Sequence, residues 1–401
     1  MSRLDELIQE YCPNGVNFKP IKEVYQRLKG TPITATKMKE IEKADGDVRI
    51  FAGGKTVINA YEEDIPNANI TRVPAVLVQS RGVIDAVYYE KPFTFKNEMW
   101  AYTHDNKVTV KFLYYVLKNN MEKFREAASG MGSLPQISLK VTEDFEIPVP
   151  PLEVQREIVR ILDNFTELTA ELTAELTARK KQYEYYRDRL LSDEMPGCVY
   201  LELNDVIHSL NTGLNPRQFF RLNTDDATNY YITIREIRGG RIVPTEKTDR
   251  INDEALVLCN NRSNLEVGDV LFSGTGTIGE TAVITEYPHN WNIKEGVYSI
   301  KPNQKKILPK FLRYLLMTES VRISYMKKVA GGTVQSIPMK ELRKIRIPVP
   351  PLAEQERIVS ILDRFDSLCN DISEGLPAEI EARQKQYEYY RDKLLTFQPI
   401  L

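Results

Sequence analysis

The sequence contains one segment of the type that binds the phosphates of a dinucleotide, GTGTIG at residues 274–279. Such a glycine pattern binds pyrophosphate when it joins a strand to a helix, because the N-terminus of that helix then faces the anion. Here the glycines are followed by ETAVITEY (280–287), which is rich in β-branched residues. The segment therefore predicts the turn of a β-hairpin and not a cofactor site.

A second segment, NPRQFF (215–220), is similar to the Asn-Pro-Pro-aromatic loop of amino-methyltransferases, but Arg217 replaces the second proline. The sequence has no serine on a nucleophile elbow and no cysteine or histidine pairs at metal-ligand spacing. We therefore expect no catalytic residue, no metal and no cofactor bound by this chain, and we expect reduced thiols. The residues considered for this chemistry are Cys12, Cys198, Cys259, Cys369, His104, His208 and His289.

The dominant feature of the chain is an internal repeat, and a repeat decides the architecture before any local feature does. IPVPPLEVQREIVRILDNFTEL (147–168) recurs at 347–368 with 14 of 22 residues identical. RKKQYEYYRDRLL (179–191) recurs at 383–395 with 11 of 13 identical. The segments upstream of each copy are far more diverged, so we expect a unit of globular head and helix that is used twice, with heads that recognise different things.

Both repeated segments are predicted to be long helices. Each begins after a proline pair suited to a first helical turn, and apolar residues follow at the three-and-four spacing of one helical face. The first helix is expected to run for about 40 residues, or roughly 60 Å. In the second copy, Gly375 and Pro377 predict a kink or a break. Because so long an apolar stripe exceeds the surface of one head, the two helices are expected to pair as an antiparallel coiled coil.

The resulting fold class is α+β, in four segments. Two mixed α/β heads, residues 1–146 and 196–346, alternate with two helical spacers, residues 147–195 and 347–401. The heads contain short β-branched runs separated by Gly, Pro and Asn, with short helices expected near 111–126 and 309–328.

The first spacer contains a four-residue unit, TAEL, twice in tandem at 169–172 and 173–176. Each unit is about one helical turn and about 6 Å long, so adding or removing one would change the length without spoiling the apolar face. The functional hypothesis is a ruler between the heads, whose spacer residues are Leu168, Leu172 and Leu176. The alternative is low-complexity sequence on an exposed helix, with no role in setting the distance between the heads.

The charge is distributed unevenly along the chain. The net charge is −2, but Lys and Arg outnumber Asp and Glu by 21 to 16 in residues 196–346 and are outnumbered by 10 to 7 in 147–195 and by 10 to 6 in 347–401. The acidic spacers are therefore expected to face protein or solvent rather than phosphate. No stretch approaches the ~18 apolar residues of a membrane span, and the first residues lack the apolar core of a signal peptide, so a cytoplasmic protein is expected.

Each spacer ends in an aromatic and basic cluster, KQYEYYRD. Such clusters can stack on nucleic acid. Because the same sequence closes two diverged units, shared packing or a docking surface for other subunits is the favoured interpretation. The docking candidates are Tyr183, Tyr186, Arg187, Tyr387, Tyr390 and Arg391.

The duplicated IPVPPL and KQYEYYRD segments, the TAEL units and the opening LDELIQEYCPNGVNFKPIKEV resemble the specificity subunits of Type I restriction-modification enzymes, over the whole chain. The resemblance implies two target-recognition domains that each read half of a split sequence in double-stranded DNA, and spacers that set the unread gap. It also implies circular two-fold pseudo-symmetry. Its implied partners are two methyltransferase subunits using S-adenosylmethionine, and restriction subunits using ATP and Mg.

Loops on a rigid scaffold commonly carry recognition, so polar and basic loop residues are the candidate base readers. In the first head these are Lys55, Arg81, Ser133 and Gln136, and in the second head Arg217, Arg262, Thr275 and Gln335. An alternative hypothesis is a coiled-coil scaffold that binds no DNA and whose two heads bind two proteins.

Overall fold

The computed structural model describes residues 3–54, 56–129, 134–192, 194–217, 219–332, 334–370 and 375–400. By its contacts the chain divides into two units that are discontinuous in sequence. Unit 1 comprises Met1–Glu171 with Ala382–Leu401, and unit 2 comprises Leu172–Glu381. Each unit therefore contains one head, the first part of the spacer that follows this head, and the last part of the other spacer.

The head of unit 1 consists of short strands and helices, followed by the long helix of the first spacer. In chain order they are α1 (Arg3–Tyr11), β1 (Phe18–Pro20), α2 (Ile21–Val24), β2 (Gln26–Leu28), α3 (Ala35–Ile41), β3 (Val48–Phe51), β4 (Val57–Ala60), β5 (Ala75–Gln79), β6 (Asp85–Tyr89), β7 (Phe93–Phe95), β8 (Met99–Thr103), α4 (Lys107–Asn119), α5 (Met121–Glu126), α6 (Leu139–Glu143), β9 (Glu146–Pro148) and α7 (Leu152–Leu190).

The head of unit 2 has a similar series of elements, followed by the two helices of the second spacer. In chain order they are β10 (Val199–Glu202), β11 (Ile207–Thr212), β12 (Asn229–Ile232), β13 (Ile237–Arg238), β14 (Arg241–Ile242), β15 (Arg250–Ile251), α8 (Asp253–Ser263), β16 (Val270–Ser273), β17 (Thr281–Val283), β18 (Trp291–Ile293), β19 (Val297–Pro302), α9 (Pro309–Leu316), α10 (Glu319–Met326), α11 (Met339–Arg343), β20 (Arg346–Val349), α12 (Leu352–Asn370) and α13 (Leu376–Leu394).

The two heads share one sheet topology despite their diverged sequences. A four-stranded antiparallel sheet has the order β2-β8-β5-β6 in unit 1 and β11-β19-β16-β17 in unit 2. A three-stranded sheet follows, β4-β3-β7 or β15-β12-β18, in which β7 and β18 run parallel to the central strand. In each head the first strand pairs with the last one, β1 with β9 and β10 with β20. This pairing closes the head just before the spacer begins, and so explains why IPVP stands at that point in both copies.

The spacers are helical where the sequence predicts it. Helix α7 is a single helix of 39 residues. The second spacer forms α12 and α13, and the interruption expected at Gly375–Pro377 falls at the start of α13. Residues 371–374 lie outside the described residues. Pro377 occupies the first turn of α13. A backbone N–H at this place has no acceptor within the helix, so its absence in proline breaks no helical hydrogen bond.

The apolar stripe of each spacer is divided between two partners. In unit 1, Val154, Ile158 and Leu162 of α7 are completely buried in the core of the head, and in unit 2 Ile358 and Leu362 are buried in the same way. Each such side chain stabilises the attachment by about 2 kcal/mol. The expectation that the stripe packs on the other spacer is therefore wrong for the first three turns, where the helix instead serves as part of the core of its own head.

Further along, the spacers contact each other within each unit. The ring of Phe165 stacks on Tyr390 in unit 1 at 5.5 Å between centroids, and Tyr186 stacks on Phe365 in unit 2 at 5.8 Å. The first part of each spacer thus meets the last part of the other, which is the pairing required of antiparallel helices. Leu168, Leu172 and Leu176 are half-buried, while the residues between them are mostly exposed.

The hairpin predicted from GTGTIG is confirmed. Strands β16 and β17 pair antiparallel on either side of it. Gly276 and Gly279 have φ of +78° and +100°, so glycine is required by the backbone of the turn and no helix follows it.

Candidate nucleic-acid interface

In unit 1 two loops distant in sequence are joined at the end of strand β5. Residues 80–82 follow the strand, and residues 134–137 precede helix α6. Backbone N–H groups of Gly82 and Ile137 donate to the carbonyl oxygens of Pro135 and Ser80, at 2.9 and 3.0 Å. The pairing places Arg81 directly opposite Gln136, and both side chains are exposed.

Unit 2 repeats this joint at the end of strand β16. The N–H of Gly276 donates to the carbonyl of Gln335, and the N–H of Ile337 donates to the carbonyl of Gly274, both at 2.9 Å. Thr275 lies opposite Ser336, the neighbour of Gln335. We call residues 80–82 with 134–137, and residues 274–276 with 334–337, the paired loops of unit 1 and unit 2.

A glycine at the same place in each paired loop makes the geometry possible. Gly82 has φ of +76° and Gly276 has φ of +78°. Residues other than glycine rarely adopt such a positive φ, because their Cβ then approaches the carbonyl oxygen that follows. The matching angles show that the two heads hold different side chains on one backbone frame.

Unit 1 adds a third loop to this frame. The N–H of Gly54 donates to the carbonyl of Arg81 at 3.3 Å, and the N–H of Gly53 donates to the carboxylate of Glu98 at 3.0 Å. Burial opposes ionisation of Glu98, but the hydrogen bonds from Lys96 and from Gly53 outweigh it, so the pKa of Glu98 is lowered. The carboxylate therefore stays charged and holds the loop of Gly53 and Gly54 close to Arg81.

The structure brings together some of the proposed base readers and not others. Arg81 lies opposite Gln136. Thr275 lies opposite Ser336, which is the neighbour of Gln335. Arg217 is exposed in the loop after β11, and Arg262 is exposed in the last turn of α8. Among the described residues, no backbone hydrogen bond joins either arginine to the paired loop of unit 2. Lys55 and Ser133 lie outside the described residues. The assignment of all eight residues to DNA stays a prediction.

Two apolar residues of the paired loops were missed by reasoning from sequence. Leu134 is 56% exposed and Val334 is 63% exposed. They occupy the same place in the repeat, since Gly-Ser-Leu at 132–134 corresponds to Gly-Thr-Val at 332–334 with the 200-residue offset of the spacers. The recurrence of this segment in two otherwise diverged heads could have identified both residues from the sequence. An exposed apolar side chain at this place can contact a thymine methyl group or a base edge.

The aromatic and basic clusters divide into buried and exposed members. Tyr183 is buried in the core of unit 2, and Tyr387, which is half-buried, packs against the core of unit 1. Arg187 and Arg391 each lie 5.7 Å from the corresponding ring. Burial raises the pKa of Tyr387 to about 12, so its phenol stays neutral. Tyr183 is only 3% exposed. These two tyrosines therefore hold the end of a spacer to a head, and Tyr183 offers little surface to a further subunit.

The exposed members are a pair that the sequence did not single out. Tyr185 and Tyr389 are 60% and 63% exposed, and each contacts the neighbouring ring, Tyr186 or Tyr390, edge-on. Tyr186 and Tyr390 are themselves about two-fifths exposed beyond their stacking on phenylalanine. The same small aromatic surface is thus presented once in each unit.

No helix in the described part of the chain combines the length and apolarity needed to cross a membrane. The described residues also include no group of three or more His, Cys, Asp or Glu side chains placed to hold a metal ion.

Comparison with known proteins identifies relatives of both heads. A sequence-family model described as the Type I restriction modification DNA specificity domain matches residues 13–179 and again residues 197–382. The specificity subunit of the Type I restriction enzyme EcoR124I/EcoR124II from Escherichia coli is 33% identical over 368 residues, which is 87% of this chain and 87% of that protein.

Solved structures share the fold. The crystal structure of a Type I restriction-modification S subunit from M. genitalium aligns with a TM-score of 0.58 at 16% identity, over 95% of this chain and 96% of that one. A chain solved in work on complex assembly and conformational transition of the type I R-M system aligns with a TM-score of 0.56 at 18% identity, over 96% of this chain and 98% of that one.

Proposed function

The chain belongs to the family of Type I restriction-modification DNA specificity subunits, and we propose that each of its two units reads one half of a split DNA sequence. The observation that carries this proposal is the paired loop, which occurs once in each unit with the same backbone and different side chains. A fixed frame with variable side chains is what reading two different half-sites requires.

The proposed contacts follow from the chemistry of the paired loops. An arginine such as Arg81 can donate two hydrogen bonds to a guanine edge, and glutamines such as Gln136 and Gln335 can pair with adenine. The surplus of Lys and Arg in residues 196–346 favours attraction of the second head to phosphate. The alternative of a scaffold that binds no DNA is not favoured, because the relatives are DNA specificity subunits.

The chain is proposed to assemble with other subunits of a restriction-modification system, namely two methyltransferase subunits and the restriction subunits. The repetition of the Tyr185–Tyr186 surface as Tyr389–Tyr390 supports two copies of one partner, because equal surfaces bind equal partners. Replacing Tyr185 or Tyr389 with alanine should reduce the bound methyltransferase from two copies towards one, measured by mass photometry. Two copies retained at full affinity in the double variant would contradict this docking site.

Chemistry is proposed to reside in the partners. In this scheme the chain binds no cofactor, S-adenosylmethionine belongs to the methyltransferase subunits, and ATP and Mg belong to the restriction subunits. A cytoplasmic location is proposed with it, because the substrate is cellular DNA. Rigorously pure chain should therefore transfer no labelled methyl group from S-adenosylmethionine to DNA, and transfer at a rate that survives further purification would contradict the assignment.

The decisive experiment maps adenine methylation. The chain is expressed together with the methyltransferase subunit of its own system in a host that lacks other adenine methylation, and methylated positions are read by long-read sequencing. We expect one sequence motif made of two specified halves and an unspecified gap. Methylation without a two-part motif, or none in a complex that assembles, would refute the proposal.

A further inference from the structure

A carboxylate on the first spacer is hydrogen-bonded to the head of unit 1. Asp163 on helix α7 accepts hydrogen bonds from two residues of α4 in the head, the ammonium of Lys111 at 2.8 Å and the phenol of Tyr115 at 2.5 Å. Burial, and then the hydrogen bond to Asp163, raise the pKa of Tyr115, so the phenol keeps its proton and is the donor. One acceptor therefore receives two donors that lie one helical turn apart on the head.

Unit 2 contains the same arrangement. Asp363 on helix α12 accepts from the ammonium of Lys310 at 2.7 Å and from the phenol of Tyr314 at 2.6 Å, both on α9. Burial is again the main cause that raises the pKa of Tyr314. The triad of lysine, tyrosine and aspartate thus recurs in two heads whose paired loops carry different side chains.

The triad supplies what the surrounding apolar contacts lack. Ile158 and Leu162 in unit 1, and Ile358 and Leu362 in unit 2, attach the spacer to the head by burial. Apolar burial is not directional, so it holds two surfaces together without selecting one register between them. Hydrogen bonds to a carboxylate are directional and lose most of their strength when the donor moves by about 1 Å. A helical slip or rotation of the head on its spacer would therefore break the triad first.

We propose that Asp163 and Asp363 are positioning residues that fix each head in one orientation on its spacer and thereby make the gap between the two half-sites strict. This inference rests on the proposed function, in which the spacers set the gap. It assigns the reading of bases to the paired loops, and the rejection of wrong gap lengths to the joint between head and spacer.

Unit 2 has a buried ion pair at this joint, at positions where unit 1 has uncharged residues. The guanidinium of Arg313 on α9 binds Asp366 on α12 at 3.1 Å, with side chains 5% and 16% exposed. The corresponding residues of unit 1 are Tyr114 and Thr166, by the alignment of KFLYYVL with KFLRYLL. The backbone of Gly240 lies against Arg313, because a Cβ there would come within 2.1 Å of its guanidinium carbon. Loss of the triad should therefore loosen the head of unit 1 more than the head of unit 2.

The test replaces Asp163 with alanine in the full chain, assembled with its methyltransferase subunit, and maps adenine methylation at sites with the native gap and with one pair more or fewer. We expect both half-sites to be kept and the share of methylation at wrong gaps to rise about tenfold. Asp363→Ala should give a smaller rise, because the Arg313–Asp366 contact remains.

Two further variants make the result interpretable. Asp85→Ala removes an ion pair with Lys118 of similar exposure, at 2.7 Å, that lies wholly inside the head of unit 1, and it should leave the gap strict. The double variant Lys111→Met with Tyr115→Phe removes the triad from the side of the head and should reproduce Asp163→Ala. A gap that stays strict in both triad variants, or relaxes equally in Asp85→Ala, would overturn the inference. Failure of the wild-type complex to yield any two-part motif would instead refute the proposed function.

Discussion

The two units differ most around their paired loops, and they share a triad of residues where each head joins its spacer. Unit 1 adds the loop of Gly53 and Gly54 to its paired loop, whereas unit 2 instead has a small hairpin, β13–β14, next to β17. The Lys-Tyr-Asp triad, by contrast, is the same in both. The difference teaches that the heads have two separable parts. The triad that binds the head to its spacer is the same in both units. The loops that follow strand β5 in unit 1 and strand β16 in unit 2 differ.

The largest expected effect comes from changing the spacer and neither head. Insertion of a third TAEL unit after Leu176 adds one turn, about 6 Å, and keeps the apolar face, because four residues is close to the helical repeat of 3.6. Since DNA rises about 3.4 Å per base pair, we expect methylation of the original sequence to be lost and the same half-sites to be methylated with a gap longer by about one or two pairs.

The control for this insertion is Ala174→Lys, which alters an exposed residue of the second TAEL unit and keeps the length of the helix. It should leave the methylated sequence unchanged. New half-site bases after the insertion would show that the spacer and the heads are not separable, and an unchanged gap would show that TAEL is only slack helix.

The second prediction concerns stability and should distinguish the units. Arg313→Ala removes the guanidinium of a mostly buried ion pair with Asp366, and breaking such a pair costs about 3 kcal/mol. Lys344→Ala removes an exposed ion pair with Glu341 in the same unit, which is worth less than about 1 kcal/mol. Urea unfolding of the two variants should therefore show a large loss for the first and little for the second. Equal losses would mean that the buried pair does not anchor α9 to α12.

How much of this could be read from the sequence depends on how far apart the interacting residues lie. The spacers were predictable because the repeat and the periodicity are local. The break at Gly375 and Pro377 and the hairpin at 274–279 were predictable for the same reason. The paired loops were not, because residues 80–82 meet residues 134–137 only through the sheet. The triad could not be predicted for the same reason. Asp163 lies within the repeat, but the residues that donate hydrogen bonds to it lie about 50 residues earlier in the chain.

Burial distinguishes tyrosines that the sequence could not distinguish. Tyr183 and Tyr387 have the same local sequence context as Tyr185 and Tyr389. Only the packing of the helix on the head makes Tyr183 buried and Tyr387 half-buried while Tyr185 and Tyr389 stay exposed. A helix turns by about 100° per residue, so positions two apart in sequence point in nearly opposite directions. The repeated motif identified the cluster, but the choice of its exposed members required the structure.

The third prediction tests whether the paired loops read separate halves. Arg81→Ala should relax specificity in one half-site only, and Thr275→Ala in the other only, with about 1–3 kcal/mol of discrimination lost where a base contact is removed. Methylation maps of the two variants give the affected positions directly. If both variants weaken both halves equally, these residues contact phosphate or support folding, and the comparison of two independent readers fails.

The last prediction concerns the shared frame itself and is expected to have the smallest effect. Gly276 has φ of +78° and a Cβ added there would meet nothing within 4 Å, so an alanine would suffer from backbone conformation alone. That strain is about 1 kcal/mol, and asparagine, which tolerates this region better, should suffer less. Gly82 in unit 1 has φ of +76° and its nearest neighbour for a Cβ is a side-chain atom of Leu134 at 3.7 Å, an ordinary contact. Gly82→Ala and Gly276→Ala should therefore lower the stability of their units by similar amounts in thermal unfolding, and Gly82→Asn and Gly276→Asn should recover part of the loss. Unequal losses, or no recovery with asparagine, would mean that the two loops do not share one backbone and that the likeness of the units ends at the spacer joint.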